Sequence, residues 1–282
     1  MTFLATSQVS GPPQIVVEAP PELASLRSRF ESTDTRRFSG ILERVGLNDA
    51  GPPIRVILAP ERSELARGVP PWIAGFAVSR SGEVVLFPAR SPAYPHQSLD
   101  DVLRHEIAHV LIARAAGGQS VPRWFNEGLA MSVERSWRFG DQTRLLYQLM
   151  VGPTESLSDV ERLFAAGESS QGRAYTLSGA FIRDLLEQHG QDTAANILMR
   201  MRRGETFERA FAGVTGSTLD SAESAFWRRE RVWTTWAPIL TSSAAVWALV
   251  TIIALLAIRR RRKKDAELHR KWDEEESSDG EL

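Results

Sequence analysis

The sequence predicts an α+β fold: a small mixed β-sheet N-terminal to a mainly helical half, followed by one transmembrane helix. Three observations carry this. Four short apolar runs, bounded by Pro, Gly, Ser and Asp, lie before residue 90. From Ser98 onward the apolar spacing is almost entirely helical. Between Ala237 and Ile258 no residue is charged. The chain has 282 residues, 43% hydrophobic and 24% charged, with a net charge of −1, so it is long enough to bury a core and too balanced to be a dedicated nucleic-acid binder. It contains no Cys, which excludes disulfides, iron–sulfur clusters and thiol catalysis.

The elements follow in order. Residues 1–13 are polar with Gly and Pro, and are expected to be disordered. Gln14–Glu18 and Pro53–Leu58 read as strands, with one helix expected over Pro21–Val45 between them. Trp72–Val78 and Glu83–Phe87 are two further strands joined by the turn Ser79-Arg80-Ser81-Gly82. Ser98 with Asp101 three residues on marks a helix start, and Gly117-Gly118 marks its end. Pro122 introduces the next helix, and a later one is expected over Tyr175–His189, stopped by Gly190.

The span Ala237–Ile258 would be about 33 Å long as a helix, enough to cross a bilayer core. Trp233 and Trp236 stand at one end and the run Arg259–Lys264 at the other. The positive-inside bias then places the tail, 259–282, in the cytoplasm and the domain 14–232 outside it. Met1–Pro20 has neither a basic n-region nor an apolar h-region, so the expectation is a missing export signal or translocation driven by the anchor, with a tail-anchored cytosolic domain as the rival.

The chemistry concentrates on the helix after Ser98. His105-Glu106-Ile107-Ala108-His109 is an H-E-x-x-H sequence. Residues i and i+4 lie one above the other on a helix, so both imidazoles can reach one ion. Glu106 is turned beside that ion, in reach of a water but not a ligand. A catalytic zinc wants three protein ligands and an open position. Glu127, 18 positions after His109 in Trp124-Phe125-Asn126-Glu127-Gly128-Leu129-Ala130, has enough chain before it to return a carboxylate to the ion.

These segments resemble the gluzincin metallopeptidases, and most nearly the small peptidase MA-like domains, in which HExxH is followed by P-x-W-x-x-E-G-x-A; here that stretch is Pro122 to Ala130. The resemblance implies a thermolysin-like catalytic core holding Zn²⁺ on His105, His109 and Glu127, with Glu106 as general base acting on peptide or protein substrates. It also implies that Asn126 orients His109. Gluzincins supply a Tyr or His from a later helix to the developing oxyanion, and Tyr175 is the choice here, ahead of His96 and His189. The G-x-M-E-N segment of the large aminopeptidases is absent, so aminopeptidase activity is not expected. An intramembrane protease is disfavoured because charges flank HEIAH. The alternative is a catalytically silent, membrane-anchored module that binds a protein partner.

Overall fold

A computed structural model of the chain describes residues 11–134, 143–145, 147–148, 156–240, 247 and 250–262. The disorder expected for 1–13 falls almost wholly outside the described residues, as does the tail beyond 262. The chain divides into two compact units, Met1–Arg228 and Arg229–Leu282.

In the first unit, β1 (Ile15–Glu18), β2 (Ile54–Leu58), β3 (Gly75–Val78) and β4 (Glu83–Leu86) form one sheet in the order β1-β2-β4-β3. β1, β2 and β4 are parallel, and β3 runs antiparallel to β4 along the edge, so the sheet is mixed. Alternation fixes its register. Ile54, Val56 and Leu58 are buried, while Arg55 points outward and pairs with Glu18 on β1 and Glu83 on β4.

The expected helix over Pro21–Val45 is interrupted. Ala24–Glu31 (α1) and Ser39–Val45 (α2) are separate α-helices with 3₁₀ turns at Pro21–Leu23 and Thr35–Phe38. The break has a local cause: the Asp34 side chain accepts from the Arg36 backbone N–H, capping a new turn where a continuous helix would have run. A short helix α3 (Glu64–Arg67) follows β2, and the third strand is shorter than expected, because Trp72–Ala74 lie outside the ladder.

Helices then dominate: α4 (Leu99–Ala115), α5 (Arg123–Glu134), α6 (Leu157–Ala165), α7 (Glu168–His189), α8 (Thr193–Arg202), α9 (Phe207–Thr215) and α10 (Leu219–Leu240). The Ser98 side chain caps α4 by accepting from Asp101 N. The Asp101 carboxylate accepts from Gln97 N, one residue before the cap. Leu103, Ile107, Val110 and Leu111 are fully buried, and α4 packs against β3 and β4. Trp124 and Phe125 of α5 meet Phe181 and Phe207 edge-on, with ring centroids 5.0–5.7 Å apart. α7 begins at Glu168, about two turns before the expected Tyr175. The polar run Glu168–Arg173 hides its first turns from the apolar pattern.

One buried cation braces the segment between β2 and β4. Arg90 donates from Nε and Nη2 to the Glu61 carboxylate, from Nη1 to the Pro70 and Ile73 carbonyls, and from Nη2 to the Ala66 carbonyl. Its guanidinium also stacks on Phe87. The planar fork is thereby saturated, and it holds the loop that delivers Trp72–Gly75 to the sheet edge.

In the second unit, residues 250–262 are helical. Among the described residues no helix is long and apolar enough to cross a membrane. The span expected at 237–258 includes 241–246 and 248–249, which lie outside the described residues.

Candidate metal centre

α4 and α5 build the site. His105 and His109 lie one turn apart on α4, and their rings stand nearly perpendicular with centroids 4.6 Å apart. α5 packs across them and presents Glu127. The Glu127 Oε2 atom is 3.2 Å from His105 Nε2 and 3.3 Å from His109 Nε2. These separations match the edge of a tetrahedron, about 3.3–3.4 Å, whose centre lies about 2.0–2.1 Å from each donor. All three side chains are buried. Two imidazoles and a carboxylate suit a borderline-soft divalent ion, so the residues present fit a metal of the zinc type. Glu106 does not join this group: it is 6% exposed and faces a neighbouring cleft.

Partners outside the donor set fix its orientation. Asn126 Oδ1 accepts from His109 Nδ1 at 2.9 Å, which turns Nε2 toward Glu127. The other Glu127 oxygen, Oε1, lies 3.5 Å from Nε of Arg123, one turn earlier on α5. Arg123 itself stacks over the Phe164 ring, 4.6 Å from its centroid. The Trp124 backbone N–H at the start of α5 donates to Glu161 on α6. Nothing in the sequence pattern pointed to Arg123 or Glu161, because a single Arg or Glu on a helix surface carries no motif.

The charges interlock. Burial pushes the His109 pKa down, but the Glu127 carboxylate outweighs it and the net shift is upward. Burial alone would raise Glu127; the charge of His109 and hydrogen bonds from both rings hold it well below the usual carboxylate range.

The cleft beside the donors has a volume of about 380 Å³ and is lined by Glu106, His96 and Tyr175, by the edge segment Trp72–Gly75, and by Arg144. The His96 ring is 4.6 Å from that of His105, edge-on, and Tyr175 is 6.1 Å from it. His96, read in the sequence as second to Tyr175, thus stands nearer the donors. His189 is the last residue of α7, about four turns beyond the cleft-lining Tyr175, and is absent from the cleft lining.

Residues 72–232 match the Peptidase MA superfamily, a stretch that runs from the edge strand through the donor helices to α10. The chain belongs to the peptidase MA superfamily. No curated protein matches the chain at a significant level. Membership in this superfamily points to a protease-type hydrolase, and such domains are typically metal-dependent, in keeping with the buried His-His-Glu group.

The superfamily segment contains one close approach that the donors depend on. A Cβ at Gly128 would lie 2.4 Å from the Ser178 carbonyl oxygen and 2.7 Å from Ile182 Cγ1. Both belong to α7, so only a glycine lets α5 settle there with Glu127 adjacent. Gly128→Ala is expected to destabilise the fold by about 1–3 kcal/mol and to lower metal affinity, because α5 must move off α7. Chemical denaturation and metal titration of the variant check both. Wild-type stability with wild-type affinity would refute the packing argument.

Proposed function

We propose that this protein is a membrane-anchored zinc metallopeptidase that hydrolyses peptide bonds with Glu106 as general base. The observation that carries the reading is the convergence of three buried donor atoms within 4.8 Å of one another, the Glu127 oxygen at tetrahedral-edge distance from both rings, next to a cleft into which Glu106 faces. His105, His109 and Glu127 would hold the ion. When bound, zinc supplies Lewis acidity toward a carbonyl oxygen and lowers the pKa of a water in contact with it.

The chain's own residues do the rest. Glu106 takes the proton of the attacking water and passes it to the departing amine nitrogen, a role worth about 10²–10⁴ in rate. The Tyr175 hydroxyl, from a residue that lines the cleft, donates to the carbonyl oxygen as charge develops there. Asn126 and Arg123 keep a ring and a carboxylate aimed at the ion. β3 is the edge strand and its N-terminal end lines the cleft, so an extended peptide can add to it by main-chain hydrogen bonds. Gly75 suits that place: a Cβ there would meet Val102 at 2.7 Å and Leu86 at 2.8 Å, so the strand lies close on α4, and Gly75 and Val102 both line the cleft.

The anchor rests on the charge-free stretch 237–258 and the basic run after it. Val250, Ile252, Ile253, Leu255, Leu256 and Ile258 are each 48–58% exposed, and at 100° per residue they point to all sides of the helix, as lipid contact would require. With the tail cytoplasmic, the catalytic domain acts outside the cytoplasm. A reporter active only in the cytoplasm should be silent on the N-terminus and active on the C-terminus; the opposite result refutes the orientation.

The enzymatic reading is tested with the full chain and a peptide library. Stripping the metal with a chelator is expected to abolish cleavage, and one equivalent of Zn²⁺ to restore it. Equal cleavage by stripped and loaded protein would overturn it.

A further inference from the structure

A second cavity, of about 880 Å³, opens at the C-terminal end of α4, and nothing in the proposed mechanism uses it. Three connections meet there: 46–52 after α2, the β3–β4 turn, and 116–121 between α4 and α5. It reaches Asn126 but none of His105, Glu106, His109 or Glu127, so it lies behind the His109 ring, on the Nδ1 side. Its size falls within the range of ligand clefts, about 300–1,000 Å³.

Its charge is one-sided. The lining carries Arg80, Arg114 and Arg202 against one carboxylate, Asp49. Asp49 is partly engaged, since it accepts from the Gly51 backbone N–H. Arg114 is a fixed wall charge. It donates to the Ala50 carbonyl, and its guanidinium lies so close to Gly82 that a Cβ there would come within 2.8 Å of Nη2. Arg80 and Arg202 are exposed at the rim, and among the described residues neither pairs with a carboxylate. The Arg202 stem rests on Gly117, where a Cβ would meet its Cα at 3.1 Å, so the side chain projects from a supported base. Neutral donors from Ser79, Ser120 and Asn48 fill the remaining wall. Three guanidiniums around one roomy opening, with a surplus of two positive charges, are complementary to a group bearing two or three acceptor oxygens.

We propose that this cavity is a second ligand site that binds a compact oxyanion, a carboxylate or phosphate, between Arg80 and Arg202 over Arg114. The anion can be free in solution or carried on the end of a peptide, and both offer the same oxygens.

Isothermal titration of the full chain separates these sources. The probes are inorganic phosphate, an acidic tripeptide with a free C-terminus, and the same tripeptide as its C-terminal amide. Saturable binding of phosphate or the free-acid tripeptide is expected, weakened about tenfold or more in the Arg80→Ala/Arg202→Ala double variant. Both arginines are exposed, so the variant should keep wild-type thermal stability without ligand. Retained phosphate binding with no difference between the tripeptides assigns a free anion; loss on amidation assigns a chain terminus. Equal binding to wild type and double variant, or no saturable binding of any probe, overturns the proposal. None of these readouts needs peptidase activity, so the outcome is independent of the catalytic reading.

Discussion

Glu106→Gln is expected to lower kcat/KM for peptide cleavage by about 10²–10⁴-fold while metal content stays at the wild-type level. The substitution is nearly isosteric. Glu106 is buried on α4, so loss of a carboxylate without loss of volume leaves the packing of Ile107 and Leu103 in place. An amide cannot accept the proton of an attacking water at any useful pH, whereas the donor atoms on His105, His109 and Glu127 are untouched. Metal analysis, thermal stability and steady-state kinetics on one preparation separate the alternatives. Lost activity with retained metal assigns Glu106 to proton transfer. Lost metal would mean that Glu106 supports the donor set. Full activity would remove it from the mechanism, and a chain in which neither protein cleaves would favour the partner-binding module.

The same residues explain how far the sequence could be read. α4 was legible because its start, stripe and stop are all local: Ser98 caps it, Leu103, Ile107 and Val110 bury it, and Gly117-Gly118 end it. The donor set was legible because two ligands share one helix turn and the third lies in a short motif. The sheet was legible from alternation in Ile54, Val56 and Leu58. Its strand order was not, since pairing β2 with β4 is a non-local event. The continuous apolar spacing of Pro21–Val45 concealed a break made by one Asp34 hydrogen bond. The early start of α7 was concealed by five polar residues and a glycine that still form helix. His96 precedes α4 in a loop, and only the folded chain brings it beside His105. The arginine-lined cavity is the extreme case. Its charges come from residues 80, 114 and 202, on three elements separated by most of the domain, and no window of sequence contains two of them. Gly128 stands between these cases: its place in the motif was plain, but its cause is the Ser178 carbonyl, 50 residues away.

Glu127→Gln should lower zinc affinity by more than the 10–100-fold that loss of an outer hydrogen-bond partner costs, because it removes a charged ligand rather than a support. It should also reverse the electrostatics of the metal-free site. In the wild type Glu127 lifts the His109 pKa above 6.5 against the opposing effect of burial, and His109 in turn depresses Glu127 below 4.5. A raised imidazole contributes stability that is fully present below its unfolded value and is lost as pH rises through its folded value. A depressed carboxylate contributes stability that is present above its unfolded value and is lost as pH falls through its folded value. The pair therefore stabilises the metal-free wild type most between pH 4.5 and 6.5. In the Gln variant burial, the largest influence, and the charge of His105 outweigh the smaller opposing charge of Glu106, so the His109 pKa should drop below 6.5 and protonation should destabilise where it formerly helped. Thermal unfolding of both metal-free proteins from about pH 4 to 9, with NMR titration of the His109 ring, reads this directly. Zinc uptake by the wild type should also weaken on acidification through the raised His109 pKa, by up to about tenfold per pH unit for each proton displaced. Parallel stability profiles for the two proteins would show that His109 and Glu127 do not face each other in solution, and a variant that binds zinc as tightly as the wild type would exclude Glu127 as a ligand.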